Sequence, residues 1–168
     1  DGVPVNKLYP LDMDRAIKKV KTLGKDIIYW SSGAESQQVF LDKEVIMANI
    51  WNTRASVLER DTKGRVTWTW NQGMFCPAAW VVPKGNPGGK EVMKWLASTL
   101  TPERQIKLLS LLGNGPSNPK ASAAEPKDMN RLDPGFEANL KLQFPRNEDW
   151  YEKNYDAATD KWIDGISG

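Results

Sequence analysis

The chain has 168 residues, 40% of them hydrophobic, and its 23 basic and 21 acidic side chains leave a formal charge of +2. That composition can bury one domain or two small ones and argues against disorder, and scattered Lys and Arg near charge balance argue against nucleic-acid binding. With no histidine and a single cysteine, Cys76, the chain lacks Ser-His and Cys-His nucleophile pairs, a zinc shell and an internal disulfide.

Asp12 can cap a helix that carries Ala16, Ile17, Val20 and Leu23 at helical spacing and stops near Gly24, with Lys18, Lys19 and Lys21 on its outer face. Asp14 belongs to the acidic first turn of that helix, so Asp12-Met13-Asp14 needs no cation to explain it. Ile27 to Trp30 reads as a short strand, Gly33 to Glu44 as a helix, and Val45 to Trp51 as a strand too short for a helix. Thr53 to Arg60 makes one or two helical turns with Thr53 as cap. In Val66 to Trp70, Val66, Trp68 and Trp70 alternate with Thr67 and Thr69, the period of a strand.

Phe75 to Val82 is apolar and interrupted by Pro77, which suits an edge strand or a segment crossing between domains. After the loop Pro83 to Gly89, one helix carries Val92, Met93, Leu96 and Leu100. The next has Thr101 as cap, Pro102 and Glu103 in its first turn, Ile106, Leu109 and Leu112 on one face, and Gly113 as stop. Asn114 to Pro126 reads as loop or linker. A short element near Asp128 to Leu132, a strand-like Lys141 to Phe144 and a helix from Glu148 to Ile163 follow, the helix burying Tyr151, Tyr155, Ala158 and Trp162. Strands alternating with helices predict an α/β fold with a largely parallel sheet.

Chemistry is thinly represented. Gly113-Asn114-Gly115-Pro116-Ser117-Asn118 follows a helix and lacks the third glycine of a dinucleotide fingerprint, and no phosphate-loop lysine motif occurs. No cofactor and no metal site is expected. An α/β enzyme acting through carboxylates would need two acids with differing environments converging on a pocket. No apolar run approaches the roughly 20 residues of a membrane-spanning helix, and no signal-peptide pattern opens the chain.

Eight tryptophans make the middle of the chain aromatic. Ile50-Trp51-Asn52-Thr53-Arg54 and Trp68 to Phe75 place rings and one fixed cation at neighbouring strand ends, a combination suited to gripping a small organic anion. Arg54 can equally lie on a solvated helix face and pair with Glu59 or Asp61, and Trp68 and Trp70 can be plain core.

Val45 to Asn52, Trp70-Asn71-Gln72-Gly73, Trp80 to Gly85 and Gly113 to Ala121, in that order, resemble the extracytoplasmic solute-binding proteins of ABC importers. The branch they resemble is the spermidine/putrescine-binding type, and the likeness covers the C-terminal half of such a protein. It implies a type II periplasmic-binding-protein-like lobe, with residues 1–75 and 127–168 in the C-terminal lobe and 76–126 forming a hinge crossing and part of the N-terminal lobe. It also implies a periplasmic or membrane-tethered receptor. Its partners would be a small-molecule ligand, a membrane ABC permease, and either the missing N-terminal half or a second copy of the chain.

In the polyamine branch a tryptophan matching Trp51 and an aromatic and acidic pair in the crossing segment hold the ligand. Here the crossing positions are Cys76 and Ala78, beside Phe75, and Asn114 stands where that branch has a tyrosine. Trp51-Asn52-Thr53-Arg54 is similar to relatives that bind small amino acids or opine-like compounds through an arginine three residues after the tryptophan. The resemblance therefore implies capture of a carboxylate-bearing solute by Trp51, Arg54, Phe75, Cys76, Ala78 and Asn114, with a polyamine as the alternative ligand and no catalysis.

Overall fold

A computed structural model describes residues 2–167. Its helices are α1 (Met13–Lys21), α2 (Gly33–Leu41), α3 (Asn52–Asp61), α4 (Glu91–Thr99), α5 (Pro102–Leu112), α6 (Pro119–Ala123), α7 (Glu137–Leu140) and α8 (Glu148–Ile166). Two short strands, β1 (Gly73–Phe75) and β2 (Gln143–Pro145), pair in a small parallel sheet. Far apart in the sequence, they are joined by a long helical crossover, as parallel neighbours require.

The chain divides into two compact units, Asp1–Tyr29 with Pro145–Gly168, and Trp30–Phe144. In the first, α1 packs against α8. The Asp12 side chain accepts the Arg15 N–H at 2.9 Å and fixes the start of α1. The helices approach closely at Gly165, where a Cβ would lie 2.7 Å from Ile17 Cδ1. Tyr29 meets Trp162 edge to face with ring centroids 5.9 Å apart, and Lys161 reaches Asp14 at 2.7 Å.

The second unit is built on α2, α3, α5 and α6, each packed on the next. Leu58 on α3, Leu109 on α5 and Ala121 on α6 are each 0% exposed and form its centre, with Val39, Ala55 and Trp70 around them. A fully buried Leu is worth roughly 1.5–3 kcal/mol of hydrophobic transfer. The α5 boundaries follow the sequence: Pro102 occupies the first turn and Gly113 ends the helix in the left-handed region at φ 76°.

Several expected elements differ. Residues 27–30, 45–51, 66–70 and 76–82 are not strands, because none of these runs finds a hydrogen-bonded ladder neighbour among the described residues. Burial still alternates along 66–70, with Trp70 buried and Thr67 and Thr69 exposed. Ile46 is 102% exposed and Val81 81%. Helix α3 starts at Asn52 with Trp51 as its N-cap, not Thr53, since the Trp51 carbonyl accepts from the amides of Arg54 and Ala55 at 2.9 and 3.0 Å. The stretch 114–126 contains α6, started by the Asn118 side chain, which accepts the Lys120 N–H at 2.9 Å, and by Pro119 behind it. Tyr155 on α8 is exposed, not buried, while Tyr151, Ala158 and Trp162 are half-buried.

Candidate functional site

The start of α2 is made by a reciprocal cap. The Ser32 hydroxyl accepts the Glu35 N–H, and the Glu35 carboxylate accepts the Ser31 N–H and hydroxyl at 2.8 and 2.9 Å. The Ser31 amide, then the Ser31 hydroxyl, hold the Glu35 carboxyl below the usual carboxylate range. This acid is thereby spent on the helix end.

Gly33, the first residue of α2, lies directly on the first turn of α3: a Cβ there would fall 2.7 Å from Arg54 Nε and 2.8 Å from Trp51 Cζ3. Only glycine admits both side chains to this spot. The Trp51 ring is 57% exposed and meets Trp30 edge to face, with centroids 5.8 Å apart. Trp30 is itself oriented by its indole N–H, which donates to the Asn49 carbonyl at 3.1 Å. The half-buried Arg54 guanidinium has no hydrogen-bond or ion-pair partner among the described residues.

The two acids that could have neutralised Arg54 are engaged elsewhere. Asp61 pairs with Arg60, and Glu59 receives both guanidinium nitrogens of Arg131 at 2.6 and 3.0 Å. Glu59 also accepts from Thr67 and from the Trp68 indole, and Arg131 stacks 4.8 Å from the Trp68 ring centroid. Partial burial pushes the Glu59 carboxyl up, and the Arg131, Thr67 and Trp68 donors with the Arg131 charge outweigh that and hold it low. The solvated ion-pair reading of Arg54 is thus replaced by a cation without a counter-charge.

Asn114 is brought to the same neighbourhood through its predecessor. The Asn52 side chain donates to the Gly113 carbonyl at 2.7 Å, and Gly113 lies so close to Ser56 that a Cβ would meet its Oγ at 2.7 Å. The far end of the loop is pinned by Gln105, which donates to Ser117 Oγ and accepts from the Asn118 amide. Between these anchors Gly115 rests on Asp133, whose Oδ1 would lie 2.6 Å from a Cβ on the glycine.

Asp133 is buried and accepts the Gly135 N–H at 2.8 Å. Burial, then the Asp133 charge and hydrogen bond, push Glu125 up to about 7.

These contacts join Trp51, Arg54 and the Asn114 loop. They do not reach Phe75, half-buried in β1, or Cys76 and Ala78, which are exposed beyond it. Sequence reasoning missed Gly33 and Asn52. The signal for Gly33 was a glycine behind two serines at a helix start; a half-buried Asn beside a first-turn cation gives none.

Two helix N-termini and an unpaired guanidinium thus converge beside an exposed indole face. Helix starts carry partial positive charge, so this arrangement favours a carboxylate against an aromatic wall.

The chain is similar to the γ-aminobutyric acid-binding protein of Pseudomonas aeruginosa, 27% identical over 146 residues that make up 84% of this chain and 41% of the relative. An ABC transporter substrate-binding protein from Bradyrhizobium japonicum USDA 110 is 33% identical, with a TM-score of 0.87 over 99% of this chain and 52% of the other. The periplasmic binding protein AgtB of Agrobacterium tumefaciens R10, solved with agropinic acid, gives 27% identity and a TM-score of 0.88 over 100% of this chain and 53% of the other. The chain therefore spans about half the length of these relatives, and its fold is that of type II periplasmic binding proteins. Residues 1–137 match the family described as bacterial extracellular solute-binding protein, and the chain belongs to that family.

Proposed function

We propose that this chain is half of the solute receptor of an ABC importer, working outside the cytoplasmic membrane, and that it captures a carboxylate-bearing, amino-acid-like solute without making or breaking bonds. The observation that carries this is the half-buried, partnerless Arg54 guanidinium at two helix starts beside the exposed ring of Trp51. Two relatives support the class of ligand, one being named for γ-aminobutyric acid and the other solved with agropinic acid.

In this reading Arg54 forks onto the carboxylate, Trp51 packs on the ligand's carbon chain, and Asn114 offers an amide. Phe75, Cys76 and Ala78 line the crossing segment. In the same reading, residues 1–75 and 127–168 belong to one lobe and 76–126 to the crossing and part of the other. The rest of the receptor completes the cleft, and the closed form is presented to a membrane permease.

A polyamine receptor of the spermidine/putrescine-binding type is the second reading, favoured by Trp51 alone. An ammonium group would find Cys76 and Ala78 where that branch has an aromatic and an acid. Calorimetry on the complete receptor separates the two. Arg54→Ala is expected to weaken binding of a short amino acid at least tenfold, about 1.4 kcal/mol, with Arg54→Lys failing to restore it. Unchanged affinity in Arg54→Ala, or putrescine outcompeting the amino acid, overturns the carboxylate reading.

A further inference from the structure

The Trp51 ring is 57% exposed, so little of its own surface is packed to select a rotamer, yet two contacts fix it. Its Cζ3 and Cε3 lie against Gly33, where a Cβ would fall 2.8 and 2.9 Å away. Trp30 meets it with ring planes at 88° and centroids 5.8 Å apart. The same Trp30 also holds the main chain that leads to the ring. Among the described residues, 45–50 make one hydrogen bond, from the Trp30 indole N–H to the Asn49 carbonyl at 3.1 Å, while Ile46 and Met47 stand in solvent.

Trp30 thus acts on Trp51 twice, through the ring and through the backbone two residues before it. It is half-buried and outside the buried centre of its unit, so core packing does not account for either contact. We propose that Trp30 is a positioning residue for ligand capture: it presets the Trp51 indole as a wall beside Arg54 and acts on the solute through that ring.

On the carboxylate reading given above, the consequence falls on the solute's carbon chain, which the ring covers, and not on the carboxylate, which Arg54 takes. An exposed indole free to swing would have to be frozen at each binding event, at a cost subtracted from affinity; a ring already fixed loses nothing. Trp30→Phe keeps an aromatic ring against Trp51 and loses the bond to Asn49, whereas Trp30→Ala loses both.

The ring is tested first without ligand, in the complete receptor, by the heteronuclear NOE of the Trp51 indole N–H. It is expected to match the rigid backbone in the wild type, to fall in Trp30→Ala and to lie between in Trp30→Phe. An equally rigid Trp51 indole in Trp30→Ala overturns the proposal. Calorimetry then uses β-alanine and 5-aminopentanoate, which share their end groups and differ in the length of carbon laid on the ring. Trp30→Ala is expected to weaken 5-aminopentanoate by roughly threefold to tenfold, the range of one aromatic pair, and β-alanine by less. In a Trp51→Ala background it should cost nothing further. Trp30→Phe should show the same pattern at smaller amplitude, so a Trp30→Ala chain that does not fold leaves the test in place. Equal losses for both solutes, or the full loss in the Trp51→Ala background, mark general destabilisation and overturn the positioning role. If neither solute binds the wild type, or both bind Arg54→Ala unchanged, the carboxylate reading alone falls, and the ligand-free measurement on the indole still decides Trp30.

Discussion

The Asn52 side-chain amide donates to the carbonyl of Gly113 at 2.7 Å, joining the first turn of α3 to the end of α5. Gly113 is buried and occupies the left-handed region, so its carbonyl has no water to fall back on. Asn52→Ala is expected to cost about 1–3 kcal/mol, the penalty of a buried acceptor left without its donor. Asn52→Asp should cost more, because a carboxylate then faces the carbonyl. Urea unfolding checks this: the midpoint should fall with the slope unchanged.

Gly33 carries a sharper prediction. A methyl group on it collides with Arg54 Nε and the Trp51 ring, and overpacking of this kind costs about 1–3 kcal/mol. The gain in helix propensity, at most about 1 kcal/mol, does not offset it. Since Arg54 is the nearest obstacle, Gly33→Ala should destabilise less in an Arg54→Ala background. A double-mutant cycle on unfolding free energies should therefore show coupling above about 0.5 kcal/mol, and strict additivity would contradict the packing.

The helices were legible because their start and stop signals are local: Asp12 for α1, Thr101-Pro102 and Gly113 for α5. The 45–51 run reads as a strand from its apolar residues, yet strand identity depends on a neighbour that no local pattern specifies, and the run has none among the described residues. Trp51 and Arg54 were legible as neighbours because residues three apart at one helix start lie on the same side of it. The Arg54 alternatives could not be settled from spacing, because Glu59 is taken by Arg131, which lies far along the chain. Glu125 carries no signal at all, being an ordinary acid until the fold buries it near the Asp133 charge.

Burial of Glu125 near the Asp133 charge predicts an unusual pH dependence of stability. Glu125 is raised from its unfolded value of 4.5 to about 7. The native state therefore binds the proton more tightly, and its stabilising effect is complete below the unfolded value and lost as pH rises through about 7. Solvent screens a partly exposed carboxyl, so the loss is only a fraction of what the full shift would give. Urea midpoints should decline from about pH 5 to about pH 7.5 and then level, and Glu125→Gln should remove the decline.

Glu59 acts in the opposite direction. Its folded carboxyl is held low, so the unfolded state takes up protons first as the solution is acidified. The stabilisation is present above the unfolded value and disappears as pH falls through the folded one. Arg131 is 47% exposed and Glu59 24%, so solvent screens the pair and its net worth is about 1–2 kcal/mol, well short of a fully buried ion pair. Arg131→Ala should lose that amount at neutral pH and leave the Trp68 indole bond to Glu59 in place. Glu59→Gln should lose a similar amount, because the guanidinium then faces a neutral amide. Acid titration of the urea midpoint distinguishes this from simple loss of packing: below the ordinary carboxylate range, wild type and Glu59→Gln should converge, whereas a purely steric contribution would keep them apart at every pH.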